Sequence, residues 1–211
     1  MPHLVLLGDS IFDNGAYTNG GPDIVSHVRG LLPPGWHATL LAVDGATTDR
    51  VGDQLDRVPR DATHLVLSVG GNNALLYLSF LKMSVSSLEQ AVQALAEIAA
   101  EFEACYRPAV VACLRAGVPL AVCTIYNGCF EDPSFQRIAS TVLMLFNDVI
   151  IRVASEHALP VIDLRAVCAN PEDYANAIEP SSVGAEKIAR VIVSLVRGGD
   201  ATGMVTRMSV R

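Results

Sequence analysis

The chain has 211 residues, 51% of them hydrophobic and 18% charged, which fits one domain with a sizeable core and excludes a disordered chain. Its 22 acidic and 15 basic residues give a net charge of −7, so we expect neither nucleic acid nor an anionic membrane as the main partner. No run of about 18 residues lacks charged or strongly polar side chains, so we expect no membrane span.

The first residues show no signal-peptide pattern, and we expect a cytoplasmic protein. The five cysteines are scattered, and no two of them form a C-x-x-C pair, so we expect no disulfide framework and no metal site. The sequence also lacks G-x-x-x-x-G-K-[ST], and no G-x-G-x-x-G follows a predicted strand. A nucleotide-binding role is therefore the weakest hypothesis, and we expect no cofactor.

Five short apolar runs rich in Val, Leu and Ile predict β-strands that are buried on both faces. In chain order they are residues 3–7, 38–43, 64–69, 119–124 and 159–164. Between and after them, apolar residues at helical spacing predict five helices. These helices cover residues 24–32, 51–58, 87–114, 133–155 and 182–196.

Strands that alternate with helices of this length predict βαβ units and an α/β fold, in which helices cover both faces of a parallel sheet. We expect one domain over residues 1–197. The tail, residues 198–211, has lost the periodicity and is either a flexible end or an arm that docks elsewhere.

Candidate reactive residues follow each of the first three predicted strands. They are Gly8-Asp9-Ser10, Asp44-Gly45 and Gly70-Gly71-Asn72-Asn73. Ligands of open parallel sheets bind at the carboxyl ends of the strands, so these residues should share one cleft. A hydroxyl, a backbone-exposing glycine and a carboxamide together are what acyl transfer requires: a nucleophile and donors for an oxyanion.

The chain resembles the SGNH hydrolases, also called GDSL esterases and lipases. The resemblance rests on four segments in the right order: Gly-Asp-Ser-Ile-Phe-Asp at 8–13, Gly45, Gly-Gly-Asn-Asn at 70–73, and Pro-Ser-Ser-Val-Gly-Ala-Glu-Lys-Ile-Ala at 180–189. It implies a three-layer αβα sandwich with a five-stranded parallel sheet in flavodoxin-like order. It also implies Ser10 as nucleophile, and an oxyanion hole made of the Ser10 and Gly45 backbone N–H groups and the Asn72 amide.

The sequence departs from the family where the general base should stand. The family has Asp-x-x-His just before Pro-Ser, and the two positions here are Asn176 and Glu179. Glu179 could act as the base if burial raised its pKa, with Asn176 orienting it. The alternative is that Glu179 only accepts backbone N–H bonds in its loop and does no chemistry.

A histidine could replace the missing base. His27 lies on a predicted helix that starts near the site, so it is the one alternative base. The other four histidines lie at the opposite edge of the predicted sheet, where we expect structural roles.

Two functions remain open on the sequence. The first is a serine hydrolase of small-molecule esters that uses Ser10, Gly45, Asn72 and Glu179. The second is a catalytically silent relative that binds a small ester or glycan. The apolar segment 75–84, with Leu76, Tyr77, Phe80 and Leu81, is either a wall for an acyl chain or ordinary core or a contact in a homo-oligomer.

Overall fold

The computed structural model describes residues 1–199 and 204–206 and contains one six-stranded sheet. The strands are β1 (His3–Gly8), β2 (His37–Leu40), β3 (His64–Ser68), β4 (Leu120–Cys123), β5 (Val161–Ile162) and β6 (Val205–Thr206). Their order is β2-β1-β3-β4-β5-β6, and all neighbours pair in parallel except β6, which is antiparallel to β5. The five parallel strands in flavodoxin-like order are confirmed. The sixth was not predicted, because two residues carry no periodicity.

Seven α-helices lie within the described residues. They are α1 (Ile24–Leu31), α2 (Val51–Leu55), α3 (Gly71–Leu76), α4 (Leu88–Leu114), α5 (Pro133–Glu156), α6 (Leu164–Val167) and α7 (Ser182–Val196). The five predicted helices are all present, although α2 ends three residues earlier than predicted. The sequence did not indicate α3 and α6, which are too short to show a helical repeat.

The helices form two layers, one on each face of the sheet. Helices α1, α6 and α7 share a hydrophobic core with one face, and α2, α4 and α5 share a second core with the other. Strand β1 lies between β2 and β3, and each of its six residues is buried, which explains its continuous apolar run. The three-layer αβα sandwich is therefore confirmed.

Helix α5 is unusually apolar for a helix on the surface of a sheet. By length and composition alone it could cross a membrane, and it is the one helix among the described residues that could. In the fold it lies over the sheet, where Phe146, Val149, Ile150 and Val153 are fully buried in the core. Core packing accounts for this apolar stripe, and the absence of a membrane span stays a prediction.

Residues 200–203 and 207–211 of the predicted tail lie outside the described residues, and the domain boundary at residue 197 stays a prediction. Another part of the tail, residues 204–206, lies at the edge of the sheet. The Met204 carbonyl accepts a 2.9 Å hydrogen bond from the Asp163 backbone N–H, and Val205 is paired with Ile162. This short segment is therefore docked against the edge of the sheet.

The register of the sheet aligns the segments that carry the candidate site residues. Gly8 at the end of β1 is paired with Ser68 at the end of β3, so both strands end at the same level. The loops after β1, β2 and β3 consequently meet at one edge, as predicted for a parallel sheet.

Candidate active site

The chain turns sharply at Gly8 to bring Ser10 over the end of β1. Gly8 has a φ of +129°, and a Cβ there would lie 1.7 Å from the Ser68 carbonyl oxygen, so only glycine fits. Buried Gln54 holds this residue from both sides: its Oε1 accepts from the Gly8 N–H at 2.8 Å, and its Nε2 donates to the Gly8 carbonyl at 2.7 Å. Gln54 could not be identified from the sequence, because the helical pattern gives no signal for this contact.

Ser10 and Glu179 lie in direct contact at the base of the site. The Ser10 hydroxyl donates a 3.1 Å hydrogen bond to Glu179 Oε1, and both residues are buried. The second carboxylate oxygen, Oε2, has no hydrogen-bond partner among the described residues. The Glu179 carboxylate therefore accepts a hydrogen bond from the serine and none from the backbone N–H groups of its own loop. This differs from the alternative in which Glu179 only accepts backbone N–H bonds.

Burial changes the proton affinity of both carboxyl groups beside the serine. Removal from water raises the pKa of Glu179 to about 7, opposed by the hydrogen bond from Ser10 and assisted by the negative charge of Asp44. Burial also raises the pKa of Asp9 to about 7, and the charge of Glu179 adds to the effect. Ser10 therefore lies beside a carboxylate that gains and loses a proton near neutral pH.

Three side chains fix the backbone around Glu179. Asn176 Oδ1 accepts from the backbone N–H groups of Ile178 and Glu179, at 2.9 and 3.0 Å. The Tyr126 hydroxyl donates to the Ile178 carbonyl at 2.6 Å, and Asn14 Nδ2 donates to the Pro180 carbonyl at 3.2 Å.

These contacts correct the expected role of Asn176. Its amide holds the backbone N–H of Glu179 and makes no hydrogen bond to the carboxylate, because its oxygen caps the turn that precedes the base. The orientation of Glu179 comes from both neighbouring peptide groups. Tyr126 and Asn14 were not identified as positioning residues, since they are 52 and 166 positions away from the carbonyls they bind.

The three expected oxyanion donors lie in the loop after β1, in the loop after β2 and at the start of α3. Neither the Ser10 nor the Gly45 backbone N–H donates a hydrogen bond to any of the described residues, so both can serve a ligand. Gly45 has a φ of +77°, a left-handed conformation that favours glycine, and it does not line the cavity that Ser10 lines. Asn72 lines the same cavity as Ser10, and its Nδ2 donates to the Ala46 carbonyl at 3.0 Å, linking α3 to the Gly45 loop.

Asn73 supports this loop from beneath. Its side chain is buried, accepts from the Thr48 N–H at 3.1 Å and donates to the Thr48 hydroxyl at 3.2 Å. Asn73 is therefore a structural amide.

The histidines lie away from Ser10. His27 Nε2 is 3.2 Å from the Ser182 hydroxyl, which in turn donates to the Pro22 carbonyl, so the imidazole contacts the start of α7. His3, at the opposite edge, contacts Asp61 and Thr39. Among residues 1–199 and 204–206, no cluster of three His, Cys, Asp or Glu side chains is placed to hold a metal ion.

A cavity of about 310 Å³ opens beside Ser10 and is walled mainly by apolar side chains. Tyr77, Phe80 and Leu81 line it, as the sequence suggested for an acyl wall. Leu76 does not: it is 70% exposed at the end of α3.

This fold and site are typical of the serine acyl hydrolases that carry their nucleophile just after the first strand. A model of the GDSL-like lipase/acylhydrolase family matches residues 6–186, and the chain belongs to this family. Comparison with curated proteins gives no match.

Three solved structures illustrate the similarity of the fold. An extracellular lipase from Streptomyces rimosus is 14% identical with a TM-score of 0.66, covering 95% of this chain and 100% of its own. A lipase/acylhydrolase from Enterococcus faecalis is 20% identical with a TM-score of 0.62, covering 100% of both chains. The acetyl xylan esterase AlAXEase is 18% identical with a TM-score of 0.66, covering 92% and 99%. At these identities the likeness shows the fold alone.

Proposed function

We propose that this protein is a carboxylic-ester hydrolase in which Ser10 is the nucleophile and Glu179 is the general base. The observation that carries the proposal is the 3.1 Å hydrogen bond from the Ser10 hydroxyl to Glu179 Oε1. A base must lie within hydrogen-bond reach of the proton it removes, and Glu179 meets this condition.

The chemistry follows from these two groups. Glu179 accepts the Ser10 proton while Oγ attacks the ester carbonyl carbon, and the negative charge passes to the carbonyl oxygen. When the tetrahedral intermediate collapses, the alcohol leaves with the proton from Glu179, and Ser10 carries the acyl group. A water molecule then gives a proton to Glu179 and attacks the acyl carbon. As the second tetrahedral intermediate collapses, Glu179 returns that proton to the Ser10 oxygen, which releases the carboxylic acid and restores both residues.

The raised pKa of Glu179 supports this role. A carboxylate with an ordinary pKa near 4.3 would be a weak base for a serine hydroxyl. With a pKa of about 7, Glu179 combines a substantial ionised fraction at neutral pH with a basicity close to that of imidazole.

Oxyanion stabilisation is assigned to the Ser10 and Gly45 backbone N–H groups and the Asn72 amide. Both N–H groups are without an acceptor among the described residues, and Asn72 reaches the same cavity as Ser10. Preorganised donors cost no reorganisation when the charge develops, so this assignment favours catalysis over simple binding.

The test is hydrolysis of 4-nitrophenyl acetate and butyrate by the wild type and three variants. Glu179→Gln keeps the shape and removes the base, so we expect kcat to fall by roughly 100-fold or more. Ser10→Ala should lose at least as much. His27→Gln is the matched control, and we expect wild-type rates from it because His27 contacts Ser182 and not Ser10.

Two results would contradict the proposal. A Glu179→Gln enzyme with wild-type rates would remove Glu179 from the reaction, particularly if His27→Gln were inactive. A wild type that hydrolyses no ester while it still binds ester analogues would favour the alternative hypothesis of a catalytically silent binding protein. The missing histidine is the feature that supports this alternative.

A further inference from the structure

The cavity beside Ser10 is polar at one end and apolar elsewhere. Ser10, Asn72 and Glu179 form the polar end. The rest is walled by α3, by the 3-10 turn Leu78–Lys82, by the loop after β4 and by the N-terminal parts of α4 and α5. Further along, α4 and α5 pack on each other through the buried Phe102 and Phe146.

The segment that roofs the cavity leaves much apolar surface uncovered. Its large side chains all line the cavity and are 39–52% exposed: Leu78, Phe80, Leu81, Met83 and Val85. Apolar surface in contact with water favours a ligand that covers it, by about 25 cal/mol for each Å² removed from water. A polar or very small ligand would leave this surface exposed.

A second group of acidic residues lies near Ser10 and does not line the cavity. Tyr17 donates to Asp44 Oδ2 at 2.7 Å, and the Asp44 N–H donates to Asp13 Oδ2 at 3.0 Å. Asp44 is exposed and close enough to raise the pKa of Glu179. Water and a departing alcohol can exchange on this side, whereas the acyl group must stay in place through both halves of the reaction.

The volume sets the size of the ligand. A dry cavity of roughly 150 Å³ holds one benzene ring, so about 310 Å³ corresponds to around twice as many carbons. Because the polar end takes part of this space, about six to ten carbons fit.

We propose that this cavity binds the acyl group of a medium-chain ester, and that the small size of Ala94 in α4 and Ala139 in α5 determines which acyl-chain lengths fit. Both alanines line the cavity from facing helices, and their small side chains leave the space that the chain would fill. The inference rests on the proposed ester hydrolysis at Ser10. It adds a substrate class, medium-chain acyl esters, and two specificity-determining positions.

The experiment compares 4-nitrophenyl esters of acetic, butyric, octanoic and palmitic acid. For the wild type, kcat/KM should rise by about threefold to fourfold for each added methylene up to about eight carbons and then level off or fall. Ala94→Phe and Ala139→Phe should lower the octanoate rate by roughly tenfold or more, while acetate hydrolysis stays within about twofold. Retained acetate hydrolysis also shows that each variant is folded.

The matched control is Ala96→Phe. Ala96 is exposed on the same helix and does not line the cavity, so the same change there should leave the chain-length profile unaltered. A second measurement is independent of turnover: calorimetric binding of octanamide and acetamide. We expect octanamide to bind more tightly than acetamide, and Ala94→Phe to weaken only octanamide.

The outcomes separate this inference from the proposed function. Equal kcat/KM for acetate and octanoate, or unaltered octanoate rates in both alanine variants, would overturn the acyl cavity and leave ester hydrolysis intact. Octanamide binding that is lost in Ala94→Phe, in a protein that hydrolyses none of the four esters, would support the cavity and overturn the proposed function. Equal binding of octanamide and acetamide would overturn the cavity as well.

Discussion

The Ser10 hydroxyl donates its hydrogen bond to Glu179 Oε1 across 169 positions of the chain. In the proposed mechanism, the carboxylate does the work of the histidine that the family has at this position. Burial raises its pKa to about 7, which replaces the basicity that imidazole has without help.

The pH dependence of hydrolysis follows from this pKa. Glu179 must be ionised to accept a proton, so kcat/KM should rise with pH through about 7 and fall about tenfold per unit well below it. The expected acid limb therefore overlaps the imidazole range, because burial cancels the low pKa of an ordinary carboxyl group.

A miscible organic cosolvent distinguishes the two kinds of base. A lower dielectric disfavours the charged form, so it raises the pKa of a carboxyl group and lowers that of imidazole. We expect the acid limb to move to higher pH in cosolvent. Movement to lower pH would indicate a histidine base.

Asn72 should matter to the transition state more than to folding. Asn72→Ala removes an amide donor from the cavity, so we expect kcat to fall by roughly 100-fold to 1,000-fold with little change in KM. Asn72→Asp has the same shape and a charge that repels an oxyanion, and it should be at least as slow. Steady-state kinetics on one activated ester measure both, and an Asn72→Ala enzyme within threefold of the wild type would contradict the assignment.

Tyr126 should act by positioning Glu179. Tyr126→Phe removes the 2.6 Å hydrogen bond to the Ile178 carbonyl while the buried ring stays. We expect kcat to fall by roughly tenfold with KM nearly unchanged, because the carboxylate is held less accurately over Ser10. The acid limb of the pH profile should shift at the same time, a change that a loss of stability alone would not cause.

The control for this prediction is Tyr106→Phe. Tyr106 is also buried, but its hydroxyl has no hydrogen-bond partner among the described residues, so its removal should leave kcat and the pH profile as in the wild type. Equal effects of the two substitutions would show that Tyr126 has no positioning role.

Asp9 should make folding stability fall as the pH rises. Its pKa is raised from 3.8 to about 7 by burial, so the folded state holds a proton that the unfolded state has released. This contribution is fully present below about pH 4 and is lost as the pH rises through about 7. Between pH 5 and 8, we expect the free energy of unfolding of the wild type to fall by about 2 kcal/mol more than that of Asp9→Asn.

Urea unfolding at the two pH values measures this difference. What matters is how steeply the free energy of unfolding changes with pH in each protein, and not the absolute stability of Asp9→Asn. The new amide changes the buried hydrogen bonds at every pH. Parallel pH dependences of the two proteins would show that Asp9 keeps an ordinary pKa.

Local sequence patterns were enough to predict the parallel sheet and its layers. Strands β1, β3 and β4 are buried on both faces, and this burial produces the continuous apolar runs from which they were predicted. Helices α4, α5 and α7 are long enough to repeat their apolar positions several times, whereas α3 and α6 span only six and four residues. The segments after the strands also indicated which edge of the sheet carries Ser10 and Asn72, because parallel strands end at one edge.

The tertiary structure decided which group faces Ser10 and with what proton affinity. From the sequence, Glu179 was either a base or a structural acceptor, and Asn176 was expected to orient it if it acted as the base. The fold instead places the carboxylate on Ser10, uses Asn176 to cap the turn, and closes the loop with Tyr126 and Asn14. These contacts join distant segments, and a pKa depends on burial and neighbouring charges in three dimensions, so neither leaves a periodic signal in the sequence.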